Sequence, residues 1–154
     1  MPSGDIRTLD ALDVVKAEMA EEARTRTSPF ETSTERGIAR CAAEPEHCPV
    51  RSPKYQDLTH DGQDELIVGV EETRHRLVVW AFMVQGGVVH RILETVGMSL
   101  SVEVVEGDPV IRQSTGYPGY DRRTVYSWDP EEQTMNIRKI ELDRPLSSSP
   151  GRTP

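Results

Sequence analysis

The tightest constraint on the fold is the stretch at residues 76–85, Arg-Leu-Val-Val-Trp-Ala-Phe-Met-Val-Gln, followed at once by Gly86-Gly87. A strand with one wet face alternates apolar and polar residues. Leu77, Val78, Val79, Trp80, Phe82 and Val84 leave no polar face, so the stretch must be covered on both sides, as a central strand is. It is far shorter than the roughly 20 apolar residues of a membrane-spanning helix. The glycine pair supplies the positive φ angles of a tight hairpin, which makes the next strand antiparallel.

The neighbouring segments follow from this one. Residues 66–70 and 88–95 read as strands. Leu100, Val102 and Val104 alternate with Ser101 and Glu103, as a half-exposed strand does. Gly107-Asp108-Pro109 is expected to turn the chain into a strand at 110–114. Residues 123–128 and 135–142 form a last hairpin across 129–132. The sum is an α+β domain, mainly an antiparallel meander of about six or seven strands in one sheet.

The N-terminal part has a different period. Leu9, Leu12, Val15, Met19 and Ala23 recur at three- and four-residue steps, the apolar stripe of a helix. Thr8 or Asp10 is placed to cap it, and it must end before Pro29. Such a stripe faces a core more often than a partner, so the helix is expected to pack on the sheet. A short helix is expected near residues 34–43. The organisation read from the sequence is a flexible lead at 1–7 and one domain at 8–143. That domain is helical over 8–53 and β over 55–143. A Ser- and Pro-rich tail at 144–154 is expected to be disordered.

Charge limits the partners. Acidic residues outnumber Lys and Arg by 26 to 18, a net charge of −8. The positive residues are scattered, whereas a phosphate backbone needs them clustered. Nucleic acid is therefore excluded as a partner. Cys41 and Cys48 are the two cysteines. Their even count and short spacing point to a local disulfide in an oxidising compartment. A reduced pair, or a zinc pair helped by His47, are the alternatives. The zinc reading lacks the second ligand pair that a four-coordinate site wants. No window is apolar and long enough to span a membrane, and the N-terminus has no apolar signal region. The expectation is either a cytoplasmic chain or a mature form from which a leader has been removed.

One motif carries chemistry. In Asp57-Leu-Thr-His-Asp-Gly-Gln-Asp-Glu65, oxygen-bearing side chains fall at Asp57, Thr59 and Asp61. Gly62 permits a sharp turn, Gln63 offers a carbonyl, and Glu65 closes the set with a carboxylate. Calcium takes six to eight oxygen ligands in flexible geometry, which suits this order of donors. The same residues also suit a metal-free turn, because Asp and Gly favour its backbone shape. The loop is not an EF-hand, whose twelfth position would fall on Val68 instead of a Glu.

The loop resembles the nine-residue calcium loops of FG-GAP and integrin-type propeller repeats, Asp-x-Asn-x-Asp-Gly-x-x-Asp. Here Thr59 and Glu65 stand at the third and ninth positions, and His60 where that family prefers Gly. Residues 57–70, with Gly119-Tyr-Asp-Arg-Arg-Thr-Val-Tyr-Ser-Trp-Asp129, are also similar to actinobacterial surface lipoproteins of the CseA type. The likeness covers residues 55–129, about half the chain. It implies an extracytoplasmic protein that modulates a membrane sensor kinase responding to cell-envelope stress. In that family a lipidated cysteine follows a signal peptide, so here the anchor would have been removed.

The expected function is thus a non-catalytic extracytoplasmic binding or regulatory module, with one calcium ion the cofactor considered. Tyr117, Tyr120, Arg122 and Arg123 are the candidate partner surface, since Tyr and Arg are favoured at interface hot spots. Trp80 and Trp128 are expected in the core. No Ser-His-Asp or phosphate-loop arrangement is present. A secreted hydrolase acting on glycans through two carboxylates, or a cytoplasmic adaptor, are the alternatives.

Overall fold

The computed structural model describes residues 5–25, 28–115 and 117–144. Two helices, α1 (Ala11–Thr25) and α2 (Thr32–Ala39), precede eight strands. These are β1 (Lys54–Gln56), β2 (Glu65–Glu71), β3 (Arg76–Gln85), β4 (Val88–Met98), β5 (Ser101–Val105), β6 (Asp108–Ser114), β7 (Asp121–Asp129) and β8 (Thr134–Asp143). All neighbours pair antiparallel in sequence order. The meander is nevertheless divided into two four-stranded sheets, β1–β4 and β5–β8, instead of the single sheet expected.

The division explains β3. Val78, Trp80 and Phe82 join Ile6, Val14, Val15, Phe30 and Ile38 in a core on the helical side. Leu77, Val79, Ala81 and Met83 point the other way, into a core shared with Leu100, Ile111 and Met135. The second cover of the central strand is another sheet, giving three layers: helices, first sheet, second sheet. The missed strand, β1, spans three residues on the outer edge and has no periodicity to read.

Local chemistry sets the turns. Gly86 and Gly87 both have positive φ, the hairpin geometry expected. The β5–β6 turn is Glu106-Gly107, with φ of 53° and 85°. It lies one step earlier than the Gly107-Asp108-Pro109 turn expected. Pro109 sits in β6 next to Val104, and the ladder to β7 begins only at Val110, so its missing N–H breaks no bond there.

Two helices cover the sheet: the N-terminal helix α1, and α2, which begins two residues before the short helix expected near residues 34–43 and ends at Ala39. Asp10 caps α1, accepting a hydrogen bond from the Leu12 N–H at 2.9 Å. Val14, Val15 and Glu22 of α1 are buried, and Leu12 and Met19 of the expected stripe pack against the same core; Ala23 is exposed, and Val14 and Glu22 extend the inward face beyond the one expected. Glu22 is buried because Arg91 of β4 reaches across to it and to Glu18, with Glu94 alongside. The same guanidinium lies 5.6 Å from the ring centre of buried Trp80. The lead expected at residues 1–7 includes Ile6, which is fully buried in a 3-10 turn capped by Asp5. Residues 1–4 and 145–154, which hold the rest of that lead and most of the expected tail, lie outside the described residues.

Cys41 and Cys48 form a disulfide. It closes the exit from α2, after which Val50 bridges to Val70 of β2. On the loop-entropy model so short a closure stabilises by about 2 kcal/mol.

Candidate functional site

Residues 57–65 link β1 to β2, and the core holds both ends of this loop. Leu58 is fully buried among the inter-sheet residues, and Glu65, the first residue of β2, is 2% exposed. Between them the backbone must reverse within a few residues. Gly62 adopts φ 87° and His60 φ 63°, so the histidine takes the left-handed conformation despite its side chain. Asp57 organises the turn. Its Oδ1 accepts from the N–H groups of His60 at 2.8 Å and Asp61 at 3.3 Å, and its Oδ2 from Gly62 at 2.9 Å. Asp61 Oδ1 accepts from the Gln63 N–H at 2.9 Å. The Glu65 carboxylate accepts from the Leu58 and Thr59 N–H groups at 2.6 and 3.1 Å, and from the Thr59 hydroxyl at 3.3 Å.

These bonds bring together one carboxylate oxygen each from Asp57, Asp61 and Glu65, all within 4.8 Å of one another. Burial pushes the Glu65 carboxyl up to about 7; the Leu58 and Thr59 N–H bonds oppose this, and the charges of Asp61 and Asp57 add to it. A site with that bias favours an added positive charge, whether a proton or a cation. The donors are oxygens, the chemistry of a hard cation such as calcium or magnesium. Thr59 and Gln63 lie beside the carboxylates, Thr59 against Glu65 and the Gln63 N–H against Asp61. The Thr59 hydroxyl donates to Glu65 at 3.3 Å.

Two tethers that local sequence did not reveal join the loop to distant parts of the chain. Arg7 binds Asp64 at 2.6 Å, and its guanidinium lies 4.8 Å from the Tyr55 ring centre. His60 reaches the β5–β6 hairpin, with Nε2 3.6 Å from Asp108 Oδ1. Gly107 makes this approach possible, since a Cβ there would fall 2.4 Å from His60 Cε1. The loop therefore sits where the N-terminal segment, the first sheet and the second sheet meet. Both tethers span more than 40 residues of sequence, and neither Arg7 nor Asp108 has a local signal.

The candidate partner surface is split by strand alternation. Tyr117 and Tyr120 are 75% and 48% exposed on a turn held by the Thr115 hydroxyl, which donates to the Tyr120 carbonyl at 2.9 Å. Arg122 is also exposed. Arg123 faces the opposite side of β7 and binds Glu141 at 2.6 Å. Tyr117, Tyr120 and Arg122 are exposed, and Arg123 pairs with Glu141 within the sheet. Trp128 is half-buried against the inter-sheet core.

Among the described residues no helix is long and apolar enough to cross a membrane. Compared with family models, with curated proteins and with solved structures, the chain matches none.

Proposed function

We propose that this chain is a non-catalytic extracytoplasmic binding or regulatory module in which the loop at residues 57–65 holds one hard divalent cation, calcium by its donor set, as a structural clasp. The observation that carries this reading is the convergence of the Asp57, Asp61 and Glu65 carboxylates within 4.8 Å. Like charges so placed repel unless a cation or a proton offsets them. The clasp would steady the junction tied by Arg7–Asp64 and His60–Asp108. The Cys41–Cys48 disulfide supports an oxidising compartment. A catalytic use of Glu65 has less support, because the residue is buried and both its oxygens accept bonds from Leu58 and Thr59.

The partner would be a membrane protein, and the likeness to CseA-type lipoproteins makes a cell-envelope-stress sensor kinase the first choice. Tyr117, Tyr120 and Arg122 would provide the contact, being exposed on one turn and the start of β7.

Thermal melts of chelator-treated protein test the cation. Calcium at about 100 times its dissociation constant adds about 2.7 kcal/mol, worth roughly 8 °C in a domain of this size. Asp61→Ala should remove that response. An equal melting temperature in calcium, magnesium and chelator would reduce the loop to a turn held by Asp57.

A further inference from the structure

β8 is the outer strand of the second sheet, so one side of its backbone is unpaired by any described strand. Its sequence over residues 137–143 is Ile-Arg-Lys-Ile-Glu-Leu-Asp. Ile137, Ile140 and Leu142 are 54%, 56% and 65% exposed, an unusual density of open apolar surface for one strand. Register places Ile140 opposite Thr124 and Leu142 opposite Arg122, on the face that carries Ile111. The first sheet covers that face at Met135 and Ile111 but leaves it open towards the end of β8. A bulge sets Arg138 out of register, and residues 139–143 then run as an unbroken edge. An exposed edge with an apolar face is a template for pairing.

The charges on β8 say what fits there. Lys139 and Glu141 lie on the opposite face from Ile140, one on each side of it in sequence; within the chain Glu141 already binds Arg123 at 2.6 Å and has Lys139 at 3.8 Å, so a second copy's Lys139 would join an existing charge cluster. We propose that β8 pairs antiparallel with β8 of a second copy of this chain, about a two-fold axis through Ile140, to join two four-stranded sheets into one. In this register Lys139 of each copy stands opposite Glu141 of the other. The two Ile140 side chains meet on the axis, with Leu142 diagonal to each. Moving the axis to Lys139 or to Glu141 would set like charges opposite one another, which is destabilising in a sheet. The edge is complementary to itself, as a two-fold interface must be.

Sedimentation equilibrium of the full chain tests the proposal. Concentration is taken to about 1 mM, where even an association worth about 4 kcal/mol is half formed. The wild type should be a monomer–dimer equilibrium. Lys139→Glu and Glu141→Lys should each weaken association about tenfold or more, because each sets like charges in opposition. Mixing the two variants in equal amounts should restore a dimer, because the two acidic side chains of one copy then face the two basic ones of the other. Melting curves check that each variant is folded; Ile140→Lys, at an exposed position, gives a second disrupting variant. A wild type that stays monomeric throughout overturns the proposal. So does a dimer that survives all three single variants, or a mixture of the two charge variants that remains monomeric.

Discussion

Glu65 shows how one side chain can link proton and metal occupancy. Its carboxyl is shifted from 4.5 up to about 7, chiefly by burial. A carboxyl raised in the folded state favours folding when protonated. Its contribution is therefore fully present below about pH 4.5 and is lost as pH rises through about 7. In chelator, urea melts should show a loss on the order of 2 kcal/mol across that window. Glu65→Gln should flatten it, since an amide oxygen can still accept the Leu58 and Thr59 N–H bonds. Calcium should also flatten it in the wild type by replacing the proton. At Gly107, an alanine would meet the His60 ring and hold a φ of 85°. Gly107→Ala should cost about 1–3 kcal/mol in a denaturant melt. The motif at 57–65 was readable because its donors and turn glycine are contiguous. The burial of Glu65 was not, because it depends on Leu58 reaching a core completed by strands much later in the chain.

At the scale of elements, α1 is held to β4 by Arg91, which faces Glu18, Glu22 and Glu94. Removing the cation would leave the buried Glu22 without its guanidinium partner. Arg91→Met should therefore cost about 3 kcal/mol in chemical denaturation. Adding Glu22→Gln to it should recover part of that loss by removing a buried charge whose bond to Arg91 is gone. The apolar period of α1 was legible in the sequence. The inward turn of Glu22 was not, because a buried carboxylate needs the Arg91 that a strand nearly 70 residues later supplies. The disulfide makes a separate prediction. Reduction of Cys41–Cys48 should lower the melting temperature by roughly 6 °C, following a loss of about 2 kcal/mol.

For the whole molecule, β3 is the shared wall of two cores. Truncation within the inter-sheet core should therefore cost far more than truncation at the open end of β8. Ile111→Ala should lose about 3 kcal/mol. Ile140→Ala, measured at concentrations where the chain is monomeric, should stay within about 0.5 kcal/mol. Urea denaturation of both variants checks the contrast.

The sequence alone determined the antiparallel order, the burial of β3 on both faces and the apolar period of α1. It also placed the candidate cation donors and paired the two cysteines as one of three readings. Each of these rests on neighbours in the chain, through side-chain alternation, helical period or turn chemistry. Tertiary structure decided that the meander divides into two sheets at Ser99-Leu100, and that the second sheet is the other cover of β3. It also decided that Arg7 and Asp108 meet the 57–65 loop, that Arg123 is taken by Glu141, and that β8 keeps an open edge. Those outcomes depend on which distant surfaces compete for the same apolar face or the same charge. That competition is settled only when the layers pack, so the local pattern does not contain it.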